Sequence, residues 1–344
     1  TLIGGAMYAL ERGLNMKWLG VVFALLTSLT AFGIGCTVQA NAVSEVVCGN
    51  FGVPLWITGL FVAVLAAFVI LGGVKSITAA CEMLVPFITV FYIAGCFIIL
   101  FINRAFLDDT VLLIVSSAFS PQAAGGGFIG STVMTAARYG VARGLFTSEA
   151  GLGSAAIVAA AAKTRNPVRQ ALVSSTGPFW DTVVLCAITG LVLVSTIIAN
   201  PSISAASGRA ADGAALTSLA FNQIPVVGPT VLTVGIVVFA FSTIIGWSYY
   251  GERCAEYLFG KAVILPYKAA YAAAVFIGSV MSLETVWNIA DTLNMLMAVP
   301  NLVCILLLSG VTAKETSYYL TGHNIERADQ TPIPTIGKNS EKIG

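Results

Sequence analysis

From Trp18 to Ser44 the chain carries no charged residue, and from Leu55 to Val74 it again carries none. A run of about 20 apolar residues, coiled as a helix, crosses the hydrocarbon core of a bilayer. In lipid the backbone groups can be satisfied only within helices or closed barrels, so runs of this length fix the fold class before any motif is read. The expectation is an all-α polytopic membrane protein. Composition agrees: 57% of residues are hydrophobic and 10% are charged, against roughly 25% charged in soluble domains. A net charge of +1 supplies no field for nucleic acid. The seven cysteines form no CxxC or CxxH pair and read as small buried hydrophobes, not metal or redox groups. The chain opens at Thr1 with neither an initiator Met nor a signal-peptide pattern, and reads as a fragment whose N-terminal part is missing.

Eight spans follow a short amphipathic lead-in over residues 1–16. They cover Lys17 to about Val47, Leu55–Val74, Ile77–Ile102, about Phe128 to Ala162, about Ala171 to Ile198, Val226 to about Tyr250, Pro266–Met281 and Val286–Leu308. Thr110–Phe119 is too short to cross and reads as interfacial or re-entrant. A helical piece is expected near Ala214–Phe221, and the last span is expected to be interrupted by Asp291, Asn294 and Pro300. Residues 1–313 form the transmembrane domain and residues 314–344 a polar cytoplasmic tail. If the first span starts in the cytoplasm, thirteen Lys and Arg fall on that side and only Arg104 and Arg209 outside. That bias satisfies the positive-inside rule and puts the C-terminus in the cytoplasm.

The fourth span is unlike a simple membrane helix. Gly140-Val-Ala-Arg-Gly-Leu-Phe-Thr-Ser-Glu-Ala-Gly-Leu-Gly-Ser154 holds Arg143, Glu149 and four glycines, Gly144 and Gly151 among them. Glycine weakens a helix and permits positive φ, and broken backbone at membrane depth survives only where it lines a cavity or is buried in protein. Ionisable residues there are functional candidates. Arg143 and Glu149 are six residues apart, so a direct pair needs the helix to unwind between them. They fix the break or a gate; the alternative is that both snorkel from the cytoplasmic end.

Other polar residues keep two readings each. Ser242-Thr243 could hold Na⁺ through oxygen lone pairs or bond back to the preceding turn. Trp247, four residues on, is a belt residue or a pocket wall. Gln39 needs a hydrogen-bond partner, either a ligand or a neighbouring helix. Asp181 and Asp291 relay protons or, the favoured reading, pair with Arg143 or Arg138. The sole histidine, His323, lies in the tail, and no HExxH or phosphate-binding loop is present. Protease and nucleotide-driven chemistry therefore lack their residues, and the driving force is an ion gradient or none.

Arg143-Gly-Leu-Phe-Thr-Ser-Glu-Ala-Gly-Leu-Gly-Ser154 and the Lys163-Thr-Arg-Asn-Pro-Val-Arg-Gln170 that follows resemble the alanine or glycine:cation symporter family. Gly4-Gly-Ala-Met-Tyr8, Phe32-Gly-Ile-Gly35, Val38-Gln-Ala-Asn41, Asp291-Thr-Leu-Asn294 and Pro300-Asn301 also fit it. The resemblance runs to about Lys314. It implies a LeuT-type fold of five-plus-five inverted repeats, with these eight spans the last eight of the family's usual eleven and the first core helices upstream of Thr1. It implies uptake of small neutral amino acids, alanine or glycine, with Na⁺ as coupling ion and no cofactor, in the inner membrane of a bacterial-type cell. The partners so implied are the amino acid, Na⁺ and the lipid bilayer, without nucleic acid. By position, Gln39, Phe146, Thr147, Ser148, Thr243 and Trp247 face the substrate, with Phe146 and Trp247 walling a small pocket. Ser242 and Thr243 match the hydroxyl pair that helps bind Na⁺, while Arg143, Gly144, Glu149 and Gly151 form the break or gate. The chain departs from the family at Thr147-Ser148, where Ser-Asn is commoner, and at Ala6 and Ala156, where Pro is common. It is read as a secondary transporter and not an enzyme; the rival reading is a non-transporting receptor or subunit of the same fold.

Overall fold

Lipid leaves the backbone no hydrogen-bond partner but itself, and every regular element in the described chain is helical. The structure, a computed structural model, describes residues 4–119, 143–162, 164, 166–200, 213–225, 227–322 and 324–326. The lead-in α1 (Ala6–Tyr8) runs on as a π turn over Ala9–Gly13. Then come α2 (Lys17–Phe51), α3 (Leu55–Leu71), α4 (Gly73–Ile102) and the short α5 (Leu107–Phe119). Residues 143–148 form α6 and Ala155–Ala159 form α7. The remainder is α8 (Pro167–Ala199), α9 (Gly213–Phe221), α10 (Gly228–Phe259), α11 (Lys261–Val280) and α12 (Leu283–Thr321).

Among the described residues six helices, α2, α4, α8, α10, α11 and α12, are long and apolar enough to cross a membrane. Of the eight expected spans, the second is the 17-residue α3, about 25 Å long at 1.5 Å per residue. The fourth is described only from residue 143, so Arg138 and Gly140 lie outside the described residues, as do Lys163 and His323. Two expectations change. The last span is one helix through Asp291, Asn294 and Pro300, because in membrane helices neighbouring groups re-satisfy the carbonyl that proline frees. It also runs past Lys314, where the polar tail was expected to begin, to Thr321.

Local sequence explains several boundaries. Asn166 starts α8 by accepting a hydrogen bond from the Arg169 amide at 2.9 Å, with Pro167 in the first turn; this satisfies an otherwise orphaned donor and presets φ. Asp108 and Asp109 open α5, where the helix dipole favours acids. Among the described residues three long helices carry π turns, Gly33–Thr37 in α2, Phe179–Leu185 in α8 and Ser317–Thr321 at the end of α12. Such inserted residues rotate the side chains that follow, and they recur at functional sites.

The middle of the molecule is α2 and α10. In α2 61% of the most apolar window is buried, against 17% in α8. α10 packs on α2 and α4, α11 on α2 and α3, and α12 on α2. Phe23, Ile34, Trp247, Tyr271 and Met297 sit in this core; a second cluster of Cys96, Ile99, Val192, Phe221 and Leu232 joins α4, α8, α9 and α10. Outer faces are apolar, with Phe68 80% and Leu306 71% exposed, which suits lipid and would aggregate in water. Burial from lipid gives helices little drive to associate, so close fit and polar links carry more of the packing. The links include Asn50 Nδ2 donating to Thr233 Oγ1 at 2.7 Å and Tyr271 OH to the Ile244 carbonyl at 3.0 Å.

Candidate functional site

The helix of residues 143–148 stops at Glu149. Glu149 has φ 52°, and Gly151 and Gly153 have φ 84° and 86°. Left-handed backbone is strained for a glutamate, so surrounding contacts must hold it. Its Oε1 accepts from Trp247 Nε1 of α10 at 2.8 Å, and its Oε2 accepts from Ser154 Oγ at 2.6 Å. Below it, Asn301 of α12 donates through Nδ2 to the Gly151 carbonyl at 2.8 Å, and Leu152 is fully buried. Trp247 itself is 2% exposed and lies flush on Gly35 in the α2 π turn: a Cβ built on Gly35 would fall inside the indole side chain. The break is therefore a moulded loop, clamped by α10 on one side and α12 on the other.

Arg143 turns the other way. Its guanidinium pairs with the Asp291 carboxylate of α12 and sits 4.0 Å from the centre of the Trp287 ring, a cation–π contact. Phe146 packs on Trp287 with ring centres 4.8 Å apart. The two charges of the break thus do not pair with one another. The expected pairing of Asp291 with Arg143 is observed, whereas Asp181 forms no ion pair among the described residues.

An open cleft of about 630 Å³ lies between α2, α4, α8 and α10. Gln39, Asp181, Ser242 and Thr243 all line it, with Tyr92 and Thr189. Ser242 Oγ and Thr243 Oγ1 both donate to the Phe239 carbonyl, at 2.8 and 3.0 Å. Back-bonding uses each hydroxyl proton and leaves the oxygen lone pairs available. Gln39 Nε2 donates to Ile34 O at 3.2 Å, which frees Oε1. No group of three or more His, Cys, Asp or Glu gathers among the described residues.

The candidates therefore fall into three sets. Gln39, Ser242 and Thr243 share the cleft; Glu149, Gly151 and Trp247 form the clamp; Arg143 and Phe146 stack on Trp287. Phe146 packs on Trp287 and Trp247 on Tyr250, with ring centres 4.8 and 5.3 Å apart. Thr147 and Gly144 are exposed, and Ser148 Oγ bonds back to Gly144 O at 2.7 Å. Three residues with direct roles in this geometry were not singled out for them from sequence. Trp287 stands four residues before Asp291, on the same helix face, so spacing could have found it. Ser154 and Asn301 lie within quoted motifs, but nothing in their spacing names their partners.

The model of the sodium:alanine symporter family matches residues 1–332. A relative named sodium/alanine symporter AgcS, from Methanococcus maripaludis, is 49% identical over 92% of this chain and 69% of its own length. An uncharacterized transporter of Haemophilus influenzae is 44% identical over 96% of this chain and 72% of its own. The probable sodium/glutamine symporter GlnT of Bacillus subtilis is 35% identical over 90% and 63%. A match over nearly the whole sequence, in a helical chain with a clamped break, leaves one conclusion: this chain belongs to the sodium:alanine symporter family, a family of transporters and not of enzymes.

Proposed function

We propose that the chain is a secondary symporter coupling Na⁺ entry to the uptake of small neutral amino acids, alanine and glycine first among them. The observation that carries this reading is the broken helix: left-handed backbone at Glu149, Gly151 and Gly153, held from α10 and α12. Unwound backbone of this kind offers free amides and carbonyls to an amino acid's carboxylate and ammonium. Na⁺ is held by Ser242 and Thr243, and the substrate meets Gln39 and the Phe146-Thr147-Ser148 segment, with Trp247 closing the small side-chain pocket. Arg143, Gly144, Glu149 and Gly151 form the gate. Ion binding stabilises the outward-open state, the substrate follows, and the helix bundle rocks to open the site inward.

The fold is read as LeuT-type, five-plus-five repeats, with α2 as the third core helix, the broken α6–α7 as the sixth and α10 as the eighth. Eight spans, an inner-membrane location and a cytoplasmic C-terminus complete the reading, the last on the Lys and Arg bias. The relative named as a probable sodium/glutamine symporter makes glutamine the second substrate to try. The test is labelled alanine uptake into proteoliposomes under an inward Na⁺ gradient, against K⁺ and proton gradients. Na⁺-driven uptake that glycine competes and leucine does not is the expected result; no uptake under any gradient would sink the function. Thr243→Ala should weaken the Na⁺ dependence, and an unchanged Na⁺ affinity would remove the ion assignment.

A further inference from the structure

Among the described residues around the break, the acidic side chains are not all matched by cations. Arg143 is taken up by Asp291. Glu149 receives hydrogen bonds from Trp247 and Ser154, both neutral. Asp181 is half-buried, belongs to the same cleft as Gln39, Ser242 and Thr243, and has no cationic partner among the described residues. A half-buried carboxylate with no cationic partner among the described residues is costly unless something positive joins it.

The local backbone fits a purpose for Asp181. Pro178 ends the preceding α-helical stretch, and the residues that follow form the π turn Phe179–Leu185. An extra residue in the turn re-aims the side chains that follow it, here with Asp181 on the cleft. Lining the same cleft are oxygens whose protons are already committed: Ser242 and Thr243 donate to Phe239 O, and Gln39 donates through Nε2 to Ile34 O. What remains toward the cleft is lone pairs. A carboxylate that shares a cleft with neutral oxygens is a donor set that suits a hard cation.

We infer that Asp181 is the charged ligand of the coupling cation, completing with Gln39, Ser242 and Thr243 a Na⁺ site in the cleft between α2, α8 and α10. This deepens the Na⁺-symport reading and rests on it. The carboxylate supplies the attraction that two back-bonded hydroxyls alone lack, and the cation in turn offsets its charge.

The test is the Na⁺ concentration giving half-maximal alanine uptake in proteoliposomes for the wild-type protein, Asp181→Asn and Asp181→Glu. Removing one charge-assisted contact should raise that concentration by about tenfold or more in Asp181→Asn, while Asp181→Glu stays nearer the wild type. Alanine affinity at saturating Na⁺ should change little. An unaltered Na⁺ requirement in Asp181→Asn overturns the inference; so does a loss of alanine affinity with Na⁺ affinity intact, which would make Asp181 the partner of the substrate ammonium. Cys186 is exposed and lines the same cleft, which gives a readout that needs no Asp181 variant. Na⁺, and not choline, should slow its modification by a thiol reagent in the wild-type protein, and equal rates in both salts count against the site. If wild-type uptake itself ignores Na⁺, the symport reading has failed; if it needs Na⁺ and the Asp181 variants do not alter that need, only this inference has.

Discussion

Replacing Gly153 with Ala tests the clamped break most directly. The residue has φ 86°, and a Cβ there would lie 2.7 Å from Asn301 Oδ1 and 3.0 Å from Phe23 Cζ. Left-handed backbone costs an L residue about 1–2 kcal/mol. The new methyl must also push the Asn301 amide aside, which breaks its 2.8 Å bond to the Gly151 carbonyl and adds about 1 kcal/mol. Together the substitution should destabilise by about 2–3 kcal/mol, a fall in Tm of roughly 3–4 °C by the per-residue scaling of soluble domains. Thermal unfolding of detergent-purified protein, followed by intrinsic tryptophan fluorescence, reads this. Gly310→Ala is the control: Gly310 is helical with open space around it, and its Tm should stay near the wild type. In an Asn301→Ala background, Gly153→Ala should cost only the backbone component. A Gly153→Ala protein melting within about 1 °C of the wild type would refute the left-handed, Asn301-anchored geometry.

Three further substitutions probe the same region. Trp247→Phe keeps the ring and deletes the donor to Glu149 Oε1; leaving a carboxylate oxygen short of a partner should cost about 1.5–3 kcal/mol, measurable as a lower Tm and reduced uptake, and a neutral result would mean water replaces the indole. Gly35→Ala should give little folded protein on size-exclusion chromatography, because the added methyl overlaps Trp247; normal yield and uptake would show that α2 and α10 are not in direct contact there. For Arg143 and Asp291, side chains 37% and 31% exposed, a double-mutant cycle to Ala should return a coupling of only about 1 kcal/mol, since solvent screens the pair. A coupling several-fold larger would mean the pair is shut off from water.

Sequence made the class and most spans legible because lipid admits few solutions: long uncharged runs must be helices. The break was legible for a similar reason, as four glycines around Arg143 and Glu149 have no place in a plain membrane helix. The pairing of Asp291 with Arg143 was within reach, since an acid in an apolar run needs a cation, but the sequence offered both Arg138 and Arg143. Pro300 misled, because the rule that proline interrupts a helix weakens where packed neighbours take over the freed carbonyl; Pro300 is buried and α12 continues. The π turns left no mark in the hydrophobic pattern, although they set which side of α2 meets Trp247 and which side of α8 meets the cleft. The partition of the candidate residues between cleft and clamp depends on how α10 sits between α2 and the break, and no periodicity within one helix encodes that.

The left-handed turn at Glu149 has a mechanical consequence. It sends Glu149 toward α10 while Arg143, one and a half turns earlier, points to α12, so one short loop is tied to two helices by contacts of unequal strength. The Arg143–Asp291 pair is about one-third exposed at each end, and such pairs contribute little against solvent. The Glu149–Trp247 bond involves an indole that is 2% exposed, and opening it strands a carboxylate in a poorly solvated place. When the bundle moves, the outer tie to α12 should therefore yield first, with the segment from Glu149 to Ser154 travelling with α10. Hydrogen exchange on the reconstituted protein checks this order. Amides of residues 143–148 should exchange faster than those of residues 149–154 under conditions that populate opening, and the reverse order would mean that the buried bond, not the exposed pair, is the one that lets go.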